Sequence, residues 1–101
     1  MLSERLYNEL ELLSRHIKVL ELVLKKQPIG IVRIAQELHI GEHEARHSLK
    51  ILADAGLVKA TPNGAIIKGN IRDEIIKTAE VLDEVSQTAR TMKREILKLV
   101  V

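Results

Sequence analysis

Residues 28–68 read PIGIVRIAQELHIGEHEARHSLKILADAGLVKATPNGAIIK, and the order of elements within this stretch decides the fold. After Pro28, the residues Ile31, Ile34, Ala35 and Leu38 fall at the three-to-four spacing of a short helix of about two turns. His39, Ile40 and Gly41 make a tight connection to a second helix over 42–55, whose expected inward face is Ala45, Leu49 and Leu52. Gly56 stands where helices commonly end in a left-handed residue. Two short runs, 57–60 and 65–68, then flank Thr61-Pro62-Asn63-Gly64. Proline fixes φ and Asn-Gly favours positive φ, so the tetrad predicts a β-hairpin.

The chain is helical in pattern on both sides of this stretch. Leu2, Leu6, Leu10, Leu13, Ile17, Leu20 and Leu24 recur every three or four positions, and Pro28 stops the run. Lys25 and Lys26 suit the negative end of the helix dipole. Ser14 can cap a helix beginning at Arg15, so 2–27 is expected as one helix or as two with a bend.

Asn70 is the expected N-cap of a last helix that contains no Gly or Pro. In it Ile71, Ile75, Thr78, Leu82, Val85, Ala89, Met92, Ile96 and Leu99 alternate by three and four, a heptad seam of coiled-coil type. At 1.5 Å per residue such a helix is about 45 Å long, more than a small domain can cover. The seam residues Ile75, Leu82, Val85, Ala89, Met92, Ile96 and Leu99 are therefore expected to dimerise, with 2–13 packing alongside. The resulting organisation is a helical extension over 1–14, a domain over 15–69 and a dimerisation helix over 70–101.

Composition narrows the function classes. The 101 residues include no Cys, Phe or Trp and a single aromatic, Tyr7. That removes disulfide frameworks, thiol nucleophiles and cysteine-ligated zinc. It also removes the aromatic platforms on which RNA-recognition sheets and OB-folds stack bases. Glu4, Glu9 and Glu11 interrupt any signal-peptide core, and no apolar run is long enough to cross a membrane. A cytoplasmic protein is expected. The formal net charge of +2 permits a nucleic-acid partner without requiring one.

A helix, a short extended segment, a helix, a tight turn, a helix and a hairpin follow one another in the order of a winged helix-turn-helix, within a mainly α fold that carries a small β-hairpin (α+β). In that arrangement two helices brace a third so that its outer face stands clear to enter a major groove. Ile29-Gly-Ile-Val-Arg-Ile-Ala-Gln-Glu-Leu-His-Ile-Gly41 resembles the second helix and turn of winged helix-turn-helix transcriptional regulators of the ArsR and MarR kind. Arg46-His-Ser-Leu-Lys-Ile-Leu-Ala-Asp-Ala-Gly-Leu-Val58 is similar to their recognition helix running into the first wing strand, and the resemblance spans about 15–68.

The resemblance implies that 42–50 faces double-stranded DNA and that 61–64 forms the wing tip. It places His43, Glu44, Arg46, His47 and Lys50 at base-reading or phosphate-contacting positions, with Lys59, Asn63 and Lys68 on the wing. The chain departs from that pattern with His39 in place of Gly, Gly41 in place of a Ser or Thr cap, and no basic residue at the wing tip. Residues 28–69 hold Arg33, Arg46, Lys50, Lys59 and Lys68 against Glu37, Glu42, Glu44 and Asp54, a net of only +1. Phosphate neutralisation dominates DNA affinity, so one copy alone is expected to bind weakly. The alternative is a winged-helix adaptor that contacts protein and not DNA, its acidic helix repelling phosphates.

His43-Glu44-Ala45-Arg46-His47 also matches H-E-x-x-H, which on a helix sets two imidazoles and a carboxylate on one side for zinc. A chain rich in His and Glu produces that pattern by chance, and a zincin needs a third ligand and a cleft. His39, His43 and His47 are spaced by four, but the turn at Ile40-Gly41 separates the first from the other two. The expectation is no catalytic residue, no metal and no cofactor.

Overall fold

The computed structural model describes residues 1–100 and divides into two compact units, Met1–Gly69 and Asn70–Val101. The first contains α1 (Glu4–Lys26), α2 (Ile31–Leu38), α3 (Glu42–Asp54) and the antiparallel pair β1 (Val58–Thr61) and β2 (Gly64–Ile67). The second contains α4 (Arg72–Leu97) and a closing 3₁₀ turn, Lys98–Val100. The protein is mainly helical with one two-stranded hairpin.

α1 runs unbroken through Ser14, so of the two arrangements expected for 2–27 the single helix holds. Only its second half is covered: Val19 and Val23 are fully buried and Leu20 nearly so, whereas Leu2, Leu6, Tyr7 and Leu10 are exposed. α1 packs against α2, α3 and β2, and the other buried apolar residues of this unit are Ile34 and Ala35 of α2, Ala45 and Leu52 of α3, and Ile29, Leu57, Val58 and Ala65 in and around the hairpin. Burying such side chains contributes roughly 1.5–3 kcal/mol each, which carries the fold in the absence of large aromatics.

α2 and α3 end the same way. Ile40 N–H donates to Ala35 O at 3.0 Å and Leu57 N–H to Leu52 O at 2.9 Å, each closing a helix with a six-residue return. That closure needs a left-handed residue, which is Gly56 (φ +79°) after α3 and His39 (φ 54°) after α2. His39 thus occupies a position where glycine is unstrained and histidine is tolerated at a cost.

The hairpin is tighter than expected by one residue at each strand. Thr61 pairs with Gly64 across a loop of only Pro62 and Asn63. Thr61 Oγ1 donates to Gly64 O at 2.6 Å and accepts from Asn63 N–H at 3.2 Å. Positive φ falls on Gly64 (φ +123°) and not on Asn63. Gly64 is required for a second reason: Ile29 adds an isolated antiparallel bridge to Ala65, and a Cβ on Gly64 would lie 2.6 Å from the Ile29 carbonyl carbon.

Two sequence expectations need correction. α4 begins one residue later than expected, with Ile71 in the N-cap position, while the Asn70 carboxamide oxygen accepts from Arg72 N–H two residues on, the bond that a capping side chain makes. Leu49 is only half-buried, and the fully buried third residue of the inward face of α3 is Ser48. In the second unit α4 has no buried residue. Among the described residues no helix is long and apolar enough to cross a membrane.

Candidate nucleic-acid interface

α3 is held by its inward stripe of Ala45, Ser48 and Leu52. Its start is fixed by Glu44, whose Oε1 accepts from Gly41 N–H at 3.0 Å, so the Glu at the third helical position supplies a cap that Gly41 has no side chain to provide. That bond, with the Arg15 and His43 charges in support, holds the Glu44 carboxyl below the usual carboxylate range.

Arg15 of α1 fastens the same helix along its flank. Its Nε donates to Ser48 Oγ at 2.9 Å, Nη1 reaches Glu44 Oε2 at 3.4 Å, and Nη2 lies 2.8 Å from His47 Nδ1. Arginine has only donors, so His47 Nδ1 accepts and the ring proton sits on Nε2. Ser48 Oγ, accepting from Arg15, has its own proton free for His16 Nδ1, 2.8 Å away. The His16 and His47 rings meet edge to face with centroids 5.6 Å apart. Burial, then the positive charge of Arg15, pushes the His16 imidazole below its ordinary value. Every buried polar side-chain atom among the described residues has a partner.

This network divides the sequence-predicted DNA set. Glu44 and His47 are brought together by Arg15 and face α1. His43, Arg46 and Lys50 are exposed on α3, where Lys50 Nζ lies 3.3 Å from Asp54 Oδ2. Lys59, Asn63 and Lys68 are exposed on and beside the hairpin. The hairpin itself is anchored by Gln27 Oε1, which accepts from Ile67 N–H at 2.8 Å, and α2 is tied to the end of α1 by the Lys26–Glu37 ion pair.

Sequence reasoning missed Arg15, His16 and Ser48. The signal was present: Ser48 interrupts the apolar stripe between Ala45 and Leu52, and Arg15 and His16 lie one turn before the buried Val19 and Leu20. A polar residue on a buried face calls for partners on the facing helix.

The H-E-x-x-H residues do not converge on a common point. His47 Nδ1 and Glu44 are taken up by Arg15, and among the described residues no group of three or more His, Cys, Asp or Glu could hold a metal ion. The seam residues Ile75, Leu82, Val85, Ala89, Met92, Ile96 and Leu99 are all exposed.

Comparison with known proteins finds no family model that matches the chain and no curated protein with significant sequence similarity to it.

Proposed function

We propose that the chain is a small winged-helix regulator that binds double-stranded DNA as a homodimer, with α3 as the recognition helix and the β1–β2 hairpin as the wing. The observation that carries this reading is the division of α3 into two sides. One side is locked to α1 by core packing and the Arg15 network, while the other leaves His43 and Arg46 free, with Lys50 exposed beside Asp54. A helix braced from behind with unpaired donors in front suits major-groove docking. Arg46 is the residue assigned to a base or phosphate. Lys59, Asn63 and Lys68 are assigned to the flanking backbone.

Engagement of Glu44 by Gly41 N–H and Arg15 supports the reading further, because it turns one of the two first-turn carboxylates of α3 away from the free side. The α4 seam is assigned to dimerisation, which doubles the small positive charge offered to DNA. Such a protein works in the cytoplasm as a binding protein and not as an enzyme.

A second reading, a winged-helix adaptor that contacts protein, is favoured by the exposed Glu42 and by the Lys50–Asp54 pair, which spends one of the few cations on α3. A gel shift with bulk duplex DNA over a range of salt separates the two. The regulator reading expects binding that weakens steeply with salt, and the adaptor reading expects none at any salt.

A further inference from the structure

We infer that the occupant of the α4 face is a second copy of this chain, running antiparallel and centred on Gln87. The inference rests on the dimer reading above and adds its direction and register. The seam places Ile75, Leu82, Ala89 and Ile96 at the first heptad position and Thr78, Val85, Met92 and Leu99 at the fourth. All are exposed except the half-buried Thr78.

Antiparallel helices set a first-position residue of one copy opposite a fourth-position residue of the other. Two registers do this along the whole seam. The one centred between Asp83 and Glu84 requires Ile71 to face Ile96 of the second copy, but Ile71 is only 8% exposed. The one centred on Gln87 pairs Ile75 with Leu99, Thr78 with Ile96, Leu82 with Met92 and Val85 with Ala89, and every member is accessible.

Side-chain size favours the same answer over a parallel pair. A parallel pair stacks Ala89 on Ala89 and Thr78 on Thr78, leaving thin layers between thick ones, and unfilled space in a core is destabilising. The antiparallel register sets each of these small residues against a β-branched one. Charge agrees. In residues 70–85, Asp73, Glu74, Glu80, Asp83 and Glu84 outweigh Arg72 and Lys77, a net of −3. In residues 86–101, Arg90, Lys93, Arg94 and Lys98 outweigh Glu95, a net of +3. Antiparallel pairing lays the acidic half along the basic half, whereas parallel pairing lays like on like. Each pair is weak in water, but all act in one direction.

The test uses the full chain, whose lack of cysteine allows single spin labels at outward positions that leave the seam intact. Lys77→Cys, Gln87→Cys and Lys98→Cys are labelled separately, and label-to-label distances in the dimer are measured by pulsed dipolar spectroscopy. The inference expects a short distance at 87, and long, nearly equal ones at 77 and 98, with axial separations of about 30 and 33 Å. Three similarly short distances overturn it in favour of a parallel pair. A distance at 98 far longer than at 77 overturns the register. A dimer by sedimentation equilibrium with no short distance at 87 overturns the inference and leaves the dimer reading standing. A monomer at tens of micromolar overturns both.

Discussion

Replacing Arg15 with Met keeps an apolar stem of similar length and deletes the guanidinium that joins α1 to α3. The Arg15 side chain is 16% exposed and its Nε bond goes to Ser48, which is fully buried. A hydrogen bond to a charged donor in such a place contributes roughly 1.5–3 kcal/mol, and Ser48 loses one of two partners. The Glu44 contact adds little, because it is long at 3.4 Å and Glu44 is 39% exposed. Part of the total is returned, since Arg15 no longer has to be desolvated. The expected net loss is about 2 kcal/mol, which for a unit of this size is a fall in Tm of roughly 8–16 °C. Urea and thermal unfolding of the full chain, followed by helix ellipticity, measure it. A double-mutant cycle with Ser48→Ala should give a coupling of about 1 kcal/mol or more, since the two side chains share one bond. A loss below about 0.5 kcal/mol, or strict additivity of the two substitutions, would refute the claim that this network fastens α3.

Four further outcomes are expected. His16 has its folded-state pKa below the unfolded 6.5, so the unfolded chain takes up the proton first. Stability should be full above pH 6.5 and decline as pH falls toward the lowered folded value, and His16→Gln should flatten that slope in pH-dependent melts. Gly64→Ala should destabilise by more than about 2 kcal/mol, because it meets both a positive φ and the Ile29 backbone; unaltered unfolding would mean the hairpin is not held against Ile29. Glu42→Gln should tighten non-specific DNA binding by removing an exposed negative charge. Glu44→Gln should instead lower Tm, because Glu44 is bonded to Gly41 and Arg15, and equal effects on both readouts would contradict that distinction.

The backbone plan was legible because its signals are local. Periodicity marked α1 to α4, Pro28 and Gly56 marked ends, and Thr61 to Gly64 marked the hairpin. Boundaries shifted by a residue where hydrogen bonds decide them, as at Asn70 and at the hairpin strands. The candidate site was legible only in part. The resemblance implied that Glu44 and His47 face DNA, but the Glu44 carboxylate and the His47 ring are engaged by Arg15, a residue 29 and 32 positions away in sequence. Pairing across helices is set by packing angle and side-chain reach, which no local pattern encodes. Ser48 was the exception that local reading had within its grasp, since a hydroxyl on an apolar stripe demands a partner.

The central claim is that the free side of α3 reads DNA through Arg46. Sites selected from random duplex DNA by the full chain, followed by titration of wild type and Arg46→Ala at one fixed salt concentration, test it most directly. The account predicts an enriched site and a loss for the variant of roughly 1–3 kcal/mol, about 5- to 150-fold in Kd, with relaxed preference at one base pair if the contact is to a base. No enriched site, or an enriched site bound equally well by Arg46→Ala, would contradict it.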